Sequence, residues 1–362
     1  MRIAISTNAI FGDELNLGIS NTINLIARHM AEKYHADITA FTPEVRGYPN
    51  VEEFDDIRIE RYPFKRFMTD WTIAPAMITQ MKKRNFDIIH SFYYGYFPVT
   101  AGFLASRWKS IPHMITPTYH PTQSTPLKIS MMRLYNFTHG RFILRGSAKV
   151  LPYNKDEESH LRKITSFDSE IIPCPINNDV FYPSPKKRGD ETTLLFIGNL
   201  APWKGADTAF KICRELEKKY ENLRFVFIGS GLLEDYMKKH ATKRFIFLKN
   251  LALAELGKQA RNADIFLYPT KYESFGRVVA EAEMSGLPVI TTRVGAVPET
   301  AGDGGLIVDY GDWEKMKKYA QMLIEDPGLR KEISRRAINH SEQFKYREVA
   351  SRIYRLYEEA LE

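Results

Sequence analysis

The chain has 362 residues, 44% of them hydrophobic and 26% charged, and a formal net charge of +7 at pH 7. That length and apolar content suit two ordinary cores, so two domains are expected, and no apolar run reaches the length needed to cross a bilayer. MRIAIST lacks the features of a secretory leader, and Cys174 and Cys213 make neither a disulfide framework nor a zinc site, so a cytoplasmic setting is expected.

Strand-like apolar runs alternate with helical periods almost throughout, the pattern of parallel sheets covered on both faces. In the first half, strands are expected at Ile3–Thr7, Asp37–Phe41, Asp87–Ser91, Ile111–Thr116, Lys149–Leu151 and Glu170–Ile172. Helices are expected at Ser20–Tyr34, Trp71–Lys83, Val99–Arg107 and Leu127–Leu144, with Ser20 or Asn21 able to cap the first. His90 stands near the end of the Asp87–Ser91 strand, and His120 lies in the loop after the Ile111–Thr116 strand. Lys128–Arg145 mixes basic residues with methionines and aromatics, and Tyr93, Tyr94, Tyr96 and Phe97 cluster just after a strand. Such a surface suits either anionic lipid or a helix packed apolar side down on the sheet, and packing is the favoured reading.

Tyr182–Asp190 is prolines, charges and glycine without periodicity, a linker. A second series follows, with strands at Thr193–Ile197, Arg224–Ile228, Phe245–Leu248, Asp264–Tyr268 and Pro288–Thr291. The division reads as 1–182, 183–345 and a final helix within 346–362. Two doubly wound sheets so joined would hold a ligand in the cleft between them, at the carboxyl ends of strands.

Leu195–Gly205 is a strand, a loop and a helix start, where Lys204 adds a point charge suited to a diphosphate. Ile228-Gly-Ser-Gly-Leu-Leu-Glu234 is only a partial dinucleotide fingerprint, and a structural turn explains it nearly as well. The most informative stretch is YPTKYESFGRVVAEAEMSGLPVITTRVGAVPE: a buried strand, a loop, a helix from about Gly276 and a second strand from Leu287. Ser274 and Gly276 supply turn and cap chemistry, and the N–H groups of Phe275, Gly276 and Arg277 are expected to open the helix as a phosphate seat. Glu273 stands just ahead of that seat and Glu281 about two turns inside, placed to hold two sugar-like parts by their hydroxyls. No HxxxH, DxD-like or Cys/His cluster suggests a metal site.

This stretch resembles the E-x7-E signature of the retaining, GT-B-fold glycosyltransferases of family 4. IIPCPINNDVFYP, LLFIGNLAPWKG, FVFIGSG and SGLPVITTRVGAVPE also follow in that family's order, so the likeness runs over most of the chain. It implies two Rossmann-like domains facing a cleft, the final helix crossing back to the first domain, and transfer of a sugar from a nucleoside-diphosphate sugar to a hydroxyl with retention. The family's arginine and lysine neutralise the departing diphosphate; Lys204 matches the lysine, Asn199 stands where the arginine would be, and Arg277 is the candidate replacement. Gly18 keeps one glycine of a donor-facing Gly-Gly pair, with Leu17 in the other place, and Gly229 would line the nucleotide pocket. The base would lie against Lys249-Asn-Leu251.

His120 would touch the donor sugar near the reacting carbon, Glu273 would position its hydroxyls and Glu281 the ribose. The resemblance also implies no metal or other cofactor, and front-face attack with the leaving phosphate taking the acceptor's proton. The expected partners are a nucleotide sugar, an acceptor that is lipid-linked or small, and a peripheral membrane contact at most, with no nucleic acid. Rival readings are a nucleotide-sugar epimerase, which would lack the E-x7-E context, and a catalytically silent binder, which the departures at Asn199 and Leu17 keep open.

Overall fold

The computed structural model describes residues 1–9, 18–67, 71–121, 126–185 and 191–362. In chain order the elements of the first half are β1 (Arg2–Ser6), α1 (Gly18–Tyr34), β2 (Asp37–Pro43), β3 (Val51–Phe54), β4 (Ile57–Tyr62), β5 (Lys65–Phe67), β6 (Trp71–Ile73), α2 (Ala76–Lys83), β7 (Ile88–Phe92), α3 (Phe97–Lys109), β8 (His113–Thr116), α4 (Pro126–Tyr135), α5 (Arg141–Gly146), β9 (Lys149–Val150) and α6 (Lys155–Arg162). The second half runs β10 (Thr192–Ile197), α7 (Ala206–Lys219), β11 (Leu223–Ile228), α8 (Glu234–His240), β12 (Phe245–Leu248), α9 (Leu253–Asn262), β13 (Ile265–Tyr268), α10 (Arg277–Met284), β14 (Val289–Thr292), α11 (Val297–Ala301), β15 (Gly305–Val308), α12 (Trp313–Glu325), α13 (Pro327–Ser341) and α14 (Tyr346–Leu361). Two compact units result: Met1–Pro175 with Tyr346–Glu362, and Ile176–Lys345.

The first unit is built on a seven-stranded sheet, β3-β4-β2-β1-β7-β8-β9, parallel except for the edge strand β3. Successive β1 side chains serve opposite faces, as the two-residue strand period requires. Ile3 and Ile5 pack with Ile23, Ile26 and Met30 of α1 and with Val349, Ile353 and Tyr357 of α14. Ala4 belongs to the other face, with Met77 and Met81 of α2 and Ala101 and Ala105 of α3. Three expectations need correction. The β3–β4 hairpin was not anticipated: its charged alternation turns at Asp55 and Asp56, both at positive φ (50° and 60°). The helix expected from Trp71 starts at Ala76, because residues 71–73 pair with β5. Glu170–Ile172 runs beside β9 through backbone bonds such as Glu170 N–H to Val150 O (3.1 Å), without forming a strand of its own.

The second unit carries a six-stranded, wholly parallel sheet in the order β12-β11-β10-β13-β14-β15. Its strands are near-continuous apolar runs such as LLFI and IFLY, as strands covered on both faces must be. The unit begins at Ile176, ahead of the boundary expected after Tyr182, because Ile176 N–H bonds Phe344 O (2.7 Å) and Phe181 is fully buried. Residues 186–190 of the expected linker lie outside the described residues. Counting from β10, the strand order is third, second, first, fourth, fifth, sixth. The chain reverses direction across the sheet between β10 and β13, and open α/β sheets bind ligands at the carboxyl ends beside that point.

Candidate functional site

At that switch point, the loops leaving β10 and β13 are clasped together. A 3₁₀ turn, Pro202–Lys204, follows β10, and Lys271 N–H bonds Trp203 O at 3.0 Å. Gly205 lies at φ 75°, and a Cβ there would stand 2.0 Å from Pro269 O, so only glycine permits this approach. The clasp delivers Lys204 Nζ to Glu273 Oε1 at 2.5 Å. The same oxygen accepts from the Tyr268 hydroxyl, and burial together with that carboxylate drives the Tyr268 pKa upward. Glu273 and Lys204 are both only partly exposed, so their attraction is less screened than that of a surface pair.

α10 begins at Arg277, with Gly276 as its N-cap at φ 84°. Gly276 brings no side chain to the cap, so its own contribution is the left-handed turn that starts the helix. Phe275 is buried, and its carbonyl accepts from the Thr300 hydroxyl, which pins the helix start to α11. Glu281 stands one turn in from Arg277, nearer the start than the two turns expected, and its Oε1 accepts from Arg277 Nε at 2.7 Å. Burial raises the Glu281 pKa, with Arg277 opposing. Arg277 is therefore no solvent-facing arginine.

Gly229 sits at φ 142°, and a Cβ on it would lie 1.9 Å from Gly198 O. The turn after β11 thus zips onto the turn after β10 through Gly198 N–H to Ile228 O and Leu200 N–H to Ser230 O, both 2.9 Å. Asn199 is exposed in that turn. Lys204, Glu273, Arg277, Glu281, Gly229 and Asn199 all belong to the second unit, whereas Gly18 and His120 belong to the first. Gly18 opens α1; the loop ahead of it, with Leu17, lies outside the described residues.

In the first unit, the loop leaving β8 holds Thr118 at φ 51°, a costly conformation for a β-branched residue. Glu157 ties that loop down. Its carboxylate accepts from Tyr119 N–H (2.5 Å) and Tyr153 N–H (2.7 Å), while burial pushes its pKa up to about 7. His120 comes next and faces α6, with Nε2 3.6 Å from Asp156 Oδ2. Burial and neighbouring His160 lower its pKa to about 4, so its ring is neutral at pH 7. His90, by contrast, is fully buried between the Tyr357 hydroxyl (2.6 Å) and Thr116 Oγ1 (2.9 Å), a packing role joining α14 to the sheet.

Sequence reasoning missed Tyr268, Glu157, Asp156 and His160. Asp156 and His160 are spaced i, i+4 on a short polar helix, a pattern that puts both on one face. One ligand atom from each of His120, Asp156 and His160 lies within 4.8 Å of the other two. No HxxxH, DxD-like or Cys/His spacing marks this trio in the sequence, because it joins a loop to a distant helix, which no linear spacing reveals.

The Lys128–Arg145 stretch fits the favoured packing reading in part, with Arg133 and Arg145 in solvent. Ile143 and Leu144 pack inward, yet Leu134, Phe137 and Phe142 are 65%, 68% and 64% exposed. A π-helical turn at Asn136–Gly140 inserts the extra residue that keeps Phe137 and Phe142 on one stripe. Exposed Arg133 and Arg145 flank it.

Residues 179–340 match the family described as glycosyl transferases group 1, and residues 18–180 match glycosyltransferase family 4. An uncharacterised glycosyltransferase of Methanocaldococcus jannaschii is 26% identical over 77% of each chain. Among solved structures, sucrose-phosphate synthase from Thermosynechococcus elongatus superposes with a TM-score of 0.81 at 19% identity, covering 99% of this chain and 98% of that one. HepE of Anabaena, solved with UDP and glucose, gives 0.71 at 16% identity over 99% of this chain and all of the other. These neighbours establish the fold as GT-B.

Proposed function

This chain belongs to the group 1, family 4 glycosyltransferases, and from that premise we propose that it moves a sugar from a nucleoside-diphosphate sugar to an acceptor hydroxyl with retained configuration. The observation that carries this reading is the Lys204–Glu273 pair at the switch point of a parallel sheet. Lys204 meets the departing diphosphate together with the positive end of the α10 dipole, so charge stabilisation is the main catalytic contribution and no metal is required for it. When donor is absent, Lys204 rests on Glu273; when it is bound, the ammonium turns to phosphate and Glu273 accepts the sugar's hydroxyls.

Glu281, oriented by Arg277, takes the ribose hydroxyls, and Arg277 adds the cation that Asn199 lacks. Ser274, Phe275 and Gly276 form the approach to the phosphates and Gly229 lets backbone come close, while Gly18 and neutral His120 are the first unit's candidates for contact with the donor. HepE was solved with UDP and with UDP-glucose, which supports a nucleotide-sugar donor and makes uridine sugars the first to try. The reading predicts that Lys204→Ala and Glu273→Ala each lower kcat by about 10²–10³ while folding is retained. Full activity in both variants would overturn it. A thermal-shift panel of nucleoside diphosphates identifies the base, since the true ligand raises Tm by mass action.

The exposed Leu134, Phe137 and Phe142 stripe between Arg133 and Arg145 supports a peripheral contact with anionic lipid, through which a lipid-linked acceptor would be collected. No helix among the described residues is long and apolar enough to cross a membrane. Neither cysteine is in a disulfide and both are buried, which supports a reducing compartment. Sedimentation with anionic vesicles is expected for the native chain and reduced for a Phe137→Glu, Phe142→Glu double variant. Neutral vesicles should bind weakly; equal binding to both vesicle types removes the electrostatic part of the claim.

A further inference from the structure

His120, Asp156 and His160 make a cluster that the transfer reaction as proposed does not use in full. Their ligand atoms come within 4.8 Å of one another, close to the spacing of donors around one small cation. His120 Nε2 and His160 Nδ1 stand 3.6 and 3.7 Å from Asp156 Oδ2, and the two rings lie 4.7 Å apart between centroids. Asp156 Oδ2 is buried and makes no hydrogen bond among the described residues, so an oxygen with acceptor capacity faces two imidazoles across a gap too wide for direct bonding. His160 Nδ1 lies 2.8 Å from the Asp156 carbonyl oxygen. That oxygen can only accept, so Nδ1 donates to it and the 3.7 Å to Asp156 Oδ2 measures this donor nitrogen, leaving Nε2 as the atom through which His160 would ligate.

Two imidazoles and one carboxylate form a donor set for a first-row divalent metal rather than for magnesium or calcium, which prefer all-oxygen shells. The loop is also prepared in advance: Glu157 holds Tyr119, next to His120, through its backbone N–H, and Asn154 caps α6 by accepting from Glu157 N–H at 2.8 Å. Little ordering is left to be done when an ion arrives.

We propose that His120, Asp156 and His160 bind a divalent transition metal, for which Zn²⁺ is the probe, and that the ion withdraws His120 from the donor sugar and so inhibits transfer. The inhibition rests on the role assigned to His120 under the proposed function; the site itself does not. Three protein ligands leave a further position for water.

Calorimetric titration of the metal-free, full-length protein with Zn²⁺ is expected to show one site, weakened about tenfold or more by His160→Ala and by Asp156→Asn, and unchanged by His240→Ala on the surface. Co²⁺ should give the visible absorption of a nitrogen- and oxygen-bound ion in the native chain and lose it in His160→Ala. Equal Zn²⁺ binding by the native chain and His160→Ala overturns the site, as does no binding by the native chain. Zn²⁺ should inhibit transfer by the native enzyme and spare His160→Ala, each rate being taken relative to that protein's own metal-free rate. Zn²⁺ bound at the trio with transfer unaffected would instead overturn the role given to His120 and leave the site standing.

Discussion

Arg277 answers two electrostatic demands, the buried Glu281 carboxylate one turn away and the anion that the proposed reaction brings to the helix start. Removing it exposes the first demand alone. Arg277→Ala takes away the influence that opposes burial, so the Glu281 pKa rises further. In the variant, the folded chain keeps that proton at pH values where the unfolded chain has released it. Stability therefore falls as pH rises above the ordinary carboxylate range, about 4.3, and the deficit disappears in acid. Denaturant titration should show a loss of about 3 kcal/mol near neutrality, shrinking toward pH 4. A deficit independent of pH would mean that the pair contributes only packing. Glu273 and Glu281 could be placed from the sequence because strand, loop and helix follow one another within a single segment, and Lys204 because its own segment repeats that order. Asp156 and His160 could not, since their partner His120 arrives through sheet order.

At the scale of elements, the clasp between the turn at Pro202–Lys204 and the loop after β13 governs where Lys204 can reach. Gly205→Ala is expected to cost about 1–3 kcal/mol, because Cβ meets Pro269 O and the residue keeps a left-handed φ. Transfer should fall along with Tm; an unchanged kcat would mean that the clasp does not set the Lys204 position. The buried parallel strands were legible as apolar runs bounded by turn residues. The β3–β4 hairpin was not: Val51–Tyr62 alternates charge with apolar residues, and its Asp-Asp turn lacks the glycine that usually marks such a reversal. The start of α2 was misread because Trp71–Ile73 can satisfy a helical period as well as a strand, and pairing with β5 decided the matter.

For the whole molecule, the second unit contains its full six-stranded sheet and both carboxylate–cation pairs within Ile176–Lys345. Residues 176–345 produced alone are expected to fold cooperatively and to gain thermal stability with the nucleoside diphosphate that stabilises the full chain. A fragment that folds but ignores nucleotide would show that the first unit supplies essential binding groups. Residues 1–175 alone have no such independence, because they lack α14, which covers Ile23, Ile26 and Met30 on α1.

That covering helix has a consequence for biosynthesis. A ribosome releases Met1–Pro175 long before it reaches Tyr346–Glu362, and the whole intervening unit can condense meanwhile. Throughout that delay the oily flank of α1 stays bare in the nascent polypeptide, which makes the interval before α14 emerges the period of greatest demand for chaperones.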